Sequence, residues 1–185
     1  MTCRKLMVAR WNKSLALPLA TLLTLSLLLL APQKASAQTY TAKVVAVKDG
    51  DSLTILRGQE KQKVIMYGID CPEIGQDFGD QAKSFTDQCC YNKVVTIQEH
   101  GTDKLGRTVA EVILSDGADL NKELVKRGLA WWSDKFAPGD ATLSKLQTDA
   151  KTQKLGLWSS DKPVPPWIFR NGDRDVKAVI KPKSE

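Results

Sequence analysis

The sequence predicts an α+β domain built on a small closed β-barrel. Five short segments are rich in β-branched residues and are bounded by turn residues, which indicates strands. Three longer segments carry apolar residues at three- and four-residue spacing, which indicates helices. Short strands interrupted by helices favour a small closed barrel with attached helices. The expected strands are residues 39–47, 52–56, 62–69, 93–98 and 108–114.

The first three predicted strands follow one another through tight turns. Residues 49–51, Asp-Gly-Asp, form the first turn, and Gly58, which is free to take a positive φ, lies in the second. The third strand ends in Asp70, because Pro72 keeps Cys71 extended and offers no backbone donor to the ladder.

The three predicted helices lie at residues 77–90, 119–127 and 140–154. In the second helix the apolar face holds Leu120 and Leu124, and Gly128 provides a stop signal. The chain then changes character. Residues 162–167 are proline-rich, and we expect this segment to be extended and held in place by Trp167.

Residues 1–37 have the layout of a secretory signal peptide, in which basic residues precede an apolar run over residues 15–31, and a small-residue cleavage site, Ala-Ser-Ala at 35–37, follows. We expect cleavage before Gln38, with an uncleaved N-terminal membrane anchor as the alternative. The domain then spans residues 38–169, and residues 170–185 form a charged tail that is predicted to be disordered. This organisation predicts a secreted or periplasmic protein with no stable membrane partner after cleavage.

The net charge of the whole chain comes mostly from the leader. The chain has 27 basic and 21 acidic residues, a formal charge of +6. Residues 1–37 contain five basic and no acidic side chains, so 22 basic and 21 acidic residues remain after cleavage, a charge of +1. Bulk charge therefore does not argue for nucleic-acid binding, and any such function must rest on local sites.

Three cysteines remain after cleavage, and export makes a disulfide possible. Cys71 paired with either Cys89 or Cys90 would leave one free thiol, whereas the two adjacent cysteines have the wrong geometry to bridge each other. A zinc cluster is disfavoured, because these cysteines and His100 show no zinc-type spacing.

Carboxylates at the ends of neighbouring strands indicate metal-assisted chemistry. Asp51 and Asp70 are expected to lie close together and to repel each other unless a cation sits between them. Oxygen ligands favour Ca²⁺ or Mg²⁺, with a backbone carbonyl, such as that of Cys71, and water completing the shell. Glu73 is placed to activate a water, and Arg107 is a candidate for stabilising a phosphodiester transition state. Each feature alone is compatible with a turn or a surface charge, so the joint arrangement carries the argument.

That joint arrangement resembles the thermonuclease, or staphylococcal nuclease-like, family over roughly residues 40–169. The matching segments, in order, are residues 49–52 (DGDS), 67–73 (YGIDCPE), 102–107 (TDKLGR) and 124–130 (LVKRGLA). The resemblance implies a five-stranded OB-fold β-barrel with three α-helices. It also implies a secreted, Ca²⁺-dependent nuclease that hydrolyses DNA and RNA, and we expect a monomer.

The resemblance also assigns roles by position. The implied Ca²⁺ ligands are the side chains of Asp51 and Asp70 and the backbone carbonyl of Cys71. The implied catalytic and phosphate-binding residues are Glu73 as general base, Arg107 as transition-state stabiliser and Lys104 near a substrate phosphate.

One position departs from the family pattern. The family places a catalytic arginine five residues before the aspartate that matches Asp70, and Ile65 stands there in this chain. Loss of one transition-state donor corresponds to a rate decrease of roughly 10²–10³-fold. Lys63 shares the strand parity of Ile65 and should face the same side about 7 Å away. It is a candidate phosphate ligand that would act as a point charge, without the fork of arginine.

Three functions are therefore compatible with the sequence. The first is a Ca²⁺-dependent nuclease with activity lowered by Ile65. The second is a catalytically impaired OB-fold module that binds nucleic acid or another partner, although the near-neutral charge disfavours its nucleic-acid form. The third is a structural role at the cell envelope, which the anchor alternative would favour.

Overall fold

A computed structural model of the chain describes residues 38–172. All strands and helices reported below lie inside this range. The strands are β1 (Thr39–Val47), β2 (Ser52–Arg57), β3 (Glu60–Met66), β4 (Ile69–Asp70), β5 (Val94–Thr102), β6 (Thr108–Ile113) and β7 (Trp131–Trp132). The helices are α1 (Gly79–Cys90), α2 (Leu120–Lys126), α3 (Ala141–Thr152) and α4 (Pro166–Arg170), with a 3₁₀ turn at Gly156–Ser159.

Five of the strands close into a barrel in the order β1-β2-β3-β6-β5. All neighbours are antiparallel except β3 and β6, which run parallel, and β1 closes the barrel by pairing with both β2 and β5. The α+β class and the closed five-stranded OB-type barrel predicted from the sequence are therefore confirmed. The helices α1, α2 and α3 correspond to the three predicted ones.

The third predicted strand is interrupted, and this break places Asp70 outside the barrel. β3 ends at Met66, and Gly68 takes a left-handed conformation with φ of 75° before β4 begins. β4 then pairs with β7, with Asp70 opposite Trp131. Strand periodicity alone predicted one continuous strand over 62–69, because alternation does not reveal a glycine turn within an apolar run.

The core fills the barrel and the space beneath α2. Its fully buried side chains include Val44, Ile55, Ile97 and Leu124. Asn121 is a buried polar residue that joins α2 to the barrel. Its Nδ2 donates to the carbonyl of Tyr67 at 2.9 Å, and its Oδ1 accepts the amide of Val112 at 3.1 Å. The satisfied amide fixes the helix without leaving an unpaired buried group.

The proline-rich segment differs from its prediction. We expected residues 162–167 to be extended, but α4 starts at Pro166, with Pro165 as its extended N-terminal flank. Proline is tolerated at the first helical position, where its missing N–H would have no intrahelical partner. Trp167 packs edge-on against Trp131 at 5.5 Å between ring centroids, so its predicted packing role is present.

The disulfide considered from the sequence is not formed. Cys71, Cys89 and Cys90 are all free thiols. Cys90 is fully buried and its thiol donates to the carbonyl of Thr86 at 3.0 Å, one helical turn earlier. Burial raises the pKa of Cys90 to about 12, which keeps the thiol protonated.

Some expectations fall outside the described residues. The signal peptide, its cleavage before Gln38, the anchor alternative and most of the charged tail cannot be compared with the structure, which covers 38–172. Within that range, no helix is long and apolar enough to cross a membrane.

Candidate active site

The acidic turn between β1 and β2 packs against the end of β4. The backbone of Gly50 approaches so closely that a Cβ there would lie 2.7 Å from the side chain of Cys71 and 2.8 Å from Ala82. Glycine is therefore required at this turn for close packing. The contact brings Asp51 to Cys71, whose amide donates to Oδ2 of Asp51 at 2.7 Å.

Asp51 is a carboxylate in an unfavourable environment. Burial raises its pKa well above the ordinary value, and the nearby charges of Asp49 and Asp70 raise it further. The hydrogen bond from Cys71 acts in the opposite direction but does not cancel the effect. No basic side chain within residues 38–172 forms an ion pair with Asp51, although Lys48 pairs weakly with Asp49 at 3.9 Å. A cation at this position would relieve the repulsion.

The segment after Asp70 holds Glu73 through backbone contacts. The amide of Glu73 donates to Oε1 of Gln76 at 3.0 Å. Its carbonyl lies against the start of α1, where a Cβ on Gly79 would come within 1.9 Å of that oxygen. Glu73 therefore projects from a loop fixed by tight packing, and its side chain keeps partial access to solvent.

Residues 103–107, within the matching segment TDKLGR, form a closed loop between β5 and β6. Asp103 accepts hydrogen bonds from the amides of Leu105 and Arg107, both at 2.9 Å, and from Nε of Arg107 at 2.6 Å. These contacts hold the pKa of Asp103 below its ordinary value. Among residues 38–172, the Nη atoms of Arg107 have no hydrogen-bond acceptor, so they are available to an anion.

An arginine from the C-terminal helix occupies the site, and the sequence did not indicate it. Nη1 and Nη2 of Arg170 lie 3.0 and 2.7 Å from the two carboxylate oxygens of Asp70. Nη1 also lies 2.5 Å from Oε1 of Glu73. The side chain of Arg170 is 47% exposed and that of Asp70 is 12% exposed. The pKa of Arg170 is raised by these hydrogen bonds, whereas burial keeps the pKa of Asp70 above its ordinary value despite the guanidinium.

Arg170 was grouped with the charged tail, yet it ends α4. That helix is held on two sides. Trp167 packs on Trp131, which lies opposite Asp70 in the β4–β7 ladder. On the other side, Nε2 of Gln76 donates to the carbonyl of Val164 at 2.5 Å while its Oε1 accepts the amide of Glu73. Both anchors connect the C-terminal segment to the loop that carries the carboxylates.

These side chains share a cavity of about 470 Å³. Among the described residues that line it, the charged ones are Lys48, Asp49, Asp51, Asp70, Glu73, Asp103, Arg107 and Arg170. Five are acidic and three are basic, so the formal balance is −2. One divalent cation would neutralise this balance, whereas the cavity without a cation would repel a phosphodiester.

The predicted site residues are not all gathered in this cavity. Asp51, Asp70, Glu73 and Arg107 line it, as does Ile65. Three predicted members are absent from its lining. Cys71 buries its side chain in the core, Lys104 lies exposed on its loop, and Lys63 lines an adjoining cavity that it shares with Ile65 and Arg107.

The donor set fits a hard cation in part. Asp51 and Asp70 supply carboxylate oxygens, and a bound cation would offset the burial and the neighbouring negative charges that raise the pKa of Asp51. Within the described chain, no three His, Cys, Asp or Glu side chains are grouped as a ready-made metal site. Backbone carbonyl and water oxygens would therefore have to complete the shell.

Comparison with known proteins agrees with this geometry. Residues 63–160 match the family model described as "Staphylococcal nuclease homologue". An "Uncharacterized endonuclease" of Escherichia coli O157:H7 is 35% identical over 129 residues, which cover 70% of this chain and 84% of that protein. An "Uncharacterized endonuclease" of Haemophilus influenzae is 34% identical over 140 residues, covering 75% and 78%. A "Micrococcal nuclease" of Shigella flexneri is 28% identical over 146 residues, covering 74% and 84%. With this match, the barrel topology and the shared motifs, the chain belongs to the staphylococcal nuclease homologue family.

Proposed function

We propose that this chain is an exported, Ca²⁺-dependent nuclease that hydrolyses phosphodiester bonds in DNA and RNA. Nuclease activity, and hence a phosphodiester hydrolase, follows from family membership. The proposed Ca²⁺ dependence and the roles of the site residues rest mainly on one observation. A single cavity joins a pair of mutually repelling carboxylates, a candidate base and a guanidinium with free donors, with a balance of −2 that one divalent cation would neutralise.

Asp51 and Asp70 would hold the cation, and the carbonyl of Cys71 is the proposed backbone ligand. When bound, Ca²⁺ would supply positive charge next to a non-bridging phosphate oxygen and so stabilise the transition state. Asp70 would hold the cation with the same oxygens that accept hydrogen bonds from Arg170, so the cation and the guanidinium would compete for this carboxylate.

Glu73 would act as general base. Its carboxylate takes a proton from a water as the water oxygen forms a bond to phosphorus, and the bond from phosphorus to the leaving ester oxygen breaks. That oxygen then takes a proton from solvent water to become a hydroxyl, and Glu73 returns its proton to solvent. The available Nη atoms of Arg107 would donate to the phosphate oxygens as negative charge builds up on them.

Two lysines are proposed to contact flanking phosphates of the substrate. Lys104 is exposed on the loop that carries Arg107, and Lys63 lines the adjoining cavity. Both would contribute sequence-independent affinity that weakens with salt. The proposed enzyme acts as a monomer after export, through the cleavable leader expected from the sequence, with nucleic acid as its only required partner.

The second candidate function is a catalytically impaired module that binds nucleic acid or another partner. The observation that favours it is Ile65, which lines the cavity where the family pattern has an arginine. It predicts binding without turnover.

Digestion assays separate the two functions. Protein comprising residues 38–185 is incubated with denatured DNA or with RNA, in Ca²⁺ or in chelator. The proposal predicts hydrolysis of both in Ca²⁺, and loss of hydrolysis in chelator and in Glu73→Gln. Turnover that survives both changes would overturn the mechanism. Binding without turnover in the wild type, with turnover gained in Ile65→Arg, would establish the second candidate.

A further inference from the structure

We propose that Arg170 supplies the second phosphate-binding guanidinium of this active site, in place of the arginine absent at position 65. This inference rests on the proposed nuclease function and adds a catalytic residue to it. Arg170 lies outside residues 63–160, which match the family model. It therefore belongs to a segment that the family model does not cover.

Arg170 is placed where an arginine at position 65 would deliver its guanidinium. Its guanidinium lines the same cavity as Ile65 and Arg107. Ile65 lies opposite Ser52 in the β2–β3 ladder, next to Asp51 in the chain, so an arginine at position 65 would point into that cavity. A phosphate held there would meet the guanidinium of Arg107 and, among the described residues that line the cavity, a second guanidinium only from Arg170.

The charge of the site explains why the guanidinium rests on the carboxylates. Arg170 bridges Asp70 and Glu73 and is the counter-charge nearest to both. A divalent cation bound by Asp70 would repel the guanidinium and compete for the same oxygens. The released side chain remains tethered at the end of α4, within the same cavity, where the incoming phosphodiester offers it a new anionic partner.

The same exchange frees the proposed base. Nη1 of Arg170 lies against Oε1 of Glu73, so that oxygen is engaged by the guanidinium. Movement of the guanidinium to a phosphate oxygen leaves Glu73 free to accept a proton from water. Arginine suits this task because its planar fork can donate two hydrogen bonds to one phosphate and stays protonated throughout.

Contacts along the segment that carries Arg170 hold its backbone next to the site. Pro166 starts α4 and is buried, Trp167 packs on Trp131, and Val164 accepts a hydrogen bond from Gln76. These contacts fix the backbone of residues 164–167 against the elements that carry Asp70 and Glu73. The long side chain of Arg170 can then move between these carboxylates and a substrate phosphate.

The test uses residues 38–185 with five proteins: wild type, Arg170→Ala, Arg170→Lys, Arg170→Ala combined with Ile65→Arg, and the control Arg127→Ala. Arg127 is the residue directly after α2 and pairs with a glutamate, Glu123, but lies outside the lining of the cavity. We expect Arg170→Ala to lower kcat by roughly 10²–10³-fold at saturating Ca²⁺. Arg170→Lys should fall in between, and Arg127→Ala should match the wild type.

Two further results distinguish a catalytic from a structural role. Ile65→Arg should raise kcat of the Arg170→Ala protein at least tenfold, because it delivers a guanidinium to the same cavity from β3. Calorimetric Ca²⁺ affinity of Arg170→Ala should be about two- to fivefold tighter than that of the wild type, since a partly exposed ion pair no longer competes for Asp70.

Several outcomes would overturn the proposal. Unchanged or increased kcat in Arg170→Ala would make the guanidinium a counter-ion only. A loss of kcat that Ile65→Arg does not reverse would make it structural, and an unchanged Ca²⁺ affinity would contradict the exchange at Asp70. Absence of Ca²⁺- and Glu73-dependent hydrolysis in the wild type would instead reject the proposed function, before any arginine variant is compared.

Discussion

The amide of Cys71 donates a 2.7 Å hydrogen bond to Oδ2 of Asp51, which lies 20 residues earlier in the chain. This bond joins the turn between β1 and β2 to the end of β4. It thereby fixes the position of Asp51 relative to Asp70, the other proposed carboxylate ligand. It forms only because Gly50 allows the turn to pack directly on Cys71 and Ala82. The acidic turn is therefore a packed part of the core as well as a carrier of carboxylates.

Gly50→Ala should destabilise the protein and lower its activity. The new methyl group would lie within 2.8 Å of the side chains of Cys71 and Ala82, which are buried and cannot rotate away. Overpacking of this kind costs about 1–3 kcal/mol of unfolding free energy. Urea unfolding of Gly50→Ala, with the exposed turn variant Gln59→Ala as a control, measures the effect. Equal stability of the two variants would contradict the packing described here.

Asp51→Asn should stabilise the metal-free protein at neutral pH. The pKa of Asp51 is higher in the folded protein than its ordinary value of 3.8. As the pH rises above 3.8, Asp51 therefore ionises more readily in the unfolded chain, and this lowers the stability of the folded state. The stabilising effect of Asn should therefore be present at neutral pH and should vanish as the pH falls below about 3.8. Thermal unfolding at a series of pH values in chelator measures it.

The same variant should lose its response to Ca²⁺. Wild-type protein should gain stability with Ca²⁺, since a ligand that binds only the folded state stabilises it by mass action. Asp51→Asn lacks one proposed charged ligand and should gain much less. A lower stability of Asp51→Asn than of the wild type in chelator at neutral pH would contradict the predicted repulsion.

Only one cysteine should react with thiol reagents in the native protein. Cys71 and Cys90 are buried, and burial raises the pKa of each, so neither presents a thiolate. Cys89 is partly exposed. Residues 38–185 should therefore show one reactive thiol when native and three when unfolded under non-reducing conditions. A count of one in the unfolded protein would reveal a disulfide instead.

Removing the side chain of Trp167 should lower kcat, although Trp167 does not line the active-site cavity. Trp167→Ala loses the edge-on contact with Trp131, worth about 0.5–1.5 kcal/mol beyond its buried area, and loosens α4. If Arg170 contributes as proposed, kcat should fall by less than it does in Arg170→Ala. The exposed aromatic Tyr91 provides the control variant Tyr91→Ala, which should retain full activity. Steady-state kinetics measure the effect. Equal kcat values for Trp167→Ala and Tyr91→Ala would contradict a role of α4 in catalysis.

The sequence predicted most of the barrel because its signals are local. β1 has the predicted bounds, 39–47, since a run of β-branched residues leaves little ambiguity. The break at Gly68 was missed because a left-handed glycine within an apolar run does not disturb alternation. The positions of Asp51, Asp70, Glu73 and Arg107 in one cavity agree with the expectation drawn from strand ends and motif spacing.

The sequence could not identify Arg170 as a residue of the site. It contacts Asp70 across 100 residues of chain, and no periodicity or motif connects the two. Its placement depends on a helix that starts within a proline-rich segment and on packing between Trp167 and Trp131. A weak signal was present, since Pro166 can begin a helix and a basic residue suits its last turn.

The central claim is that Glu73 and the paired carboxylates Asp51 and Asp70 perform Ca²⁺-dependent hydrolysis. The most direct measurement is the initial rate of denatured-DNA cleavage by wild type and Glu73→Gln, at saturating Ca²⁺ and in chelator. We predict hydrolysis by the wild type in Ca²⁺ alone, and a rate at least 10²-fold lower in Glu73→Gln, in line with loss of a general base. Equal rates for the two proteins in Ca²⁺ would contradict the account.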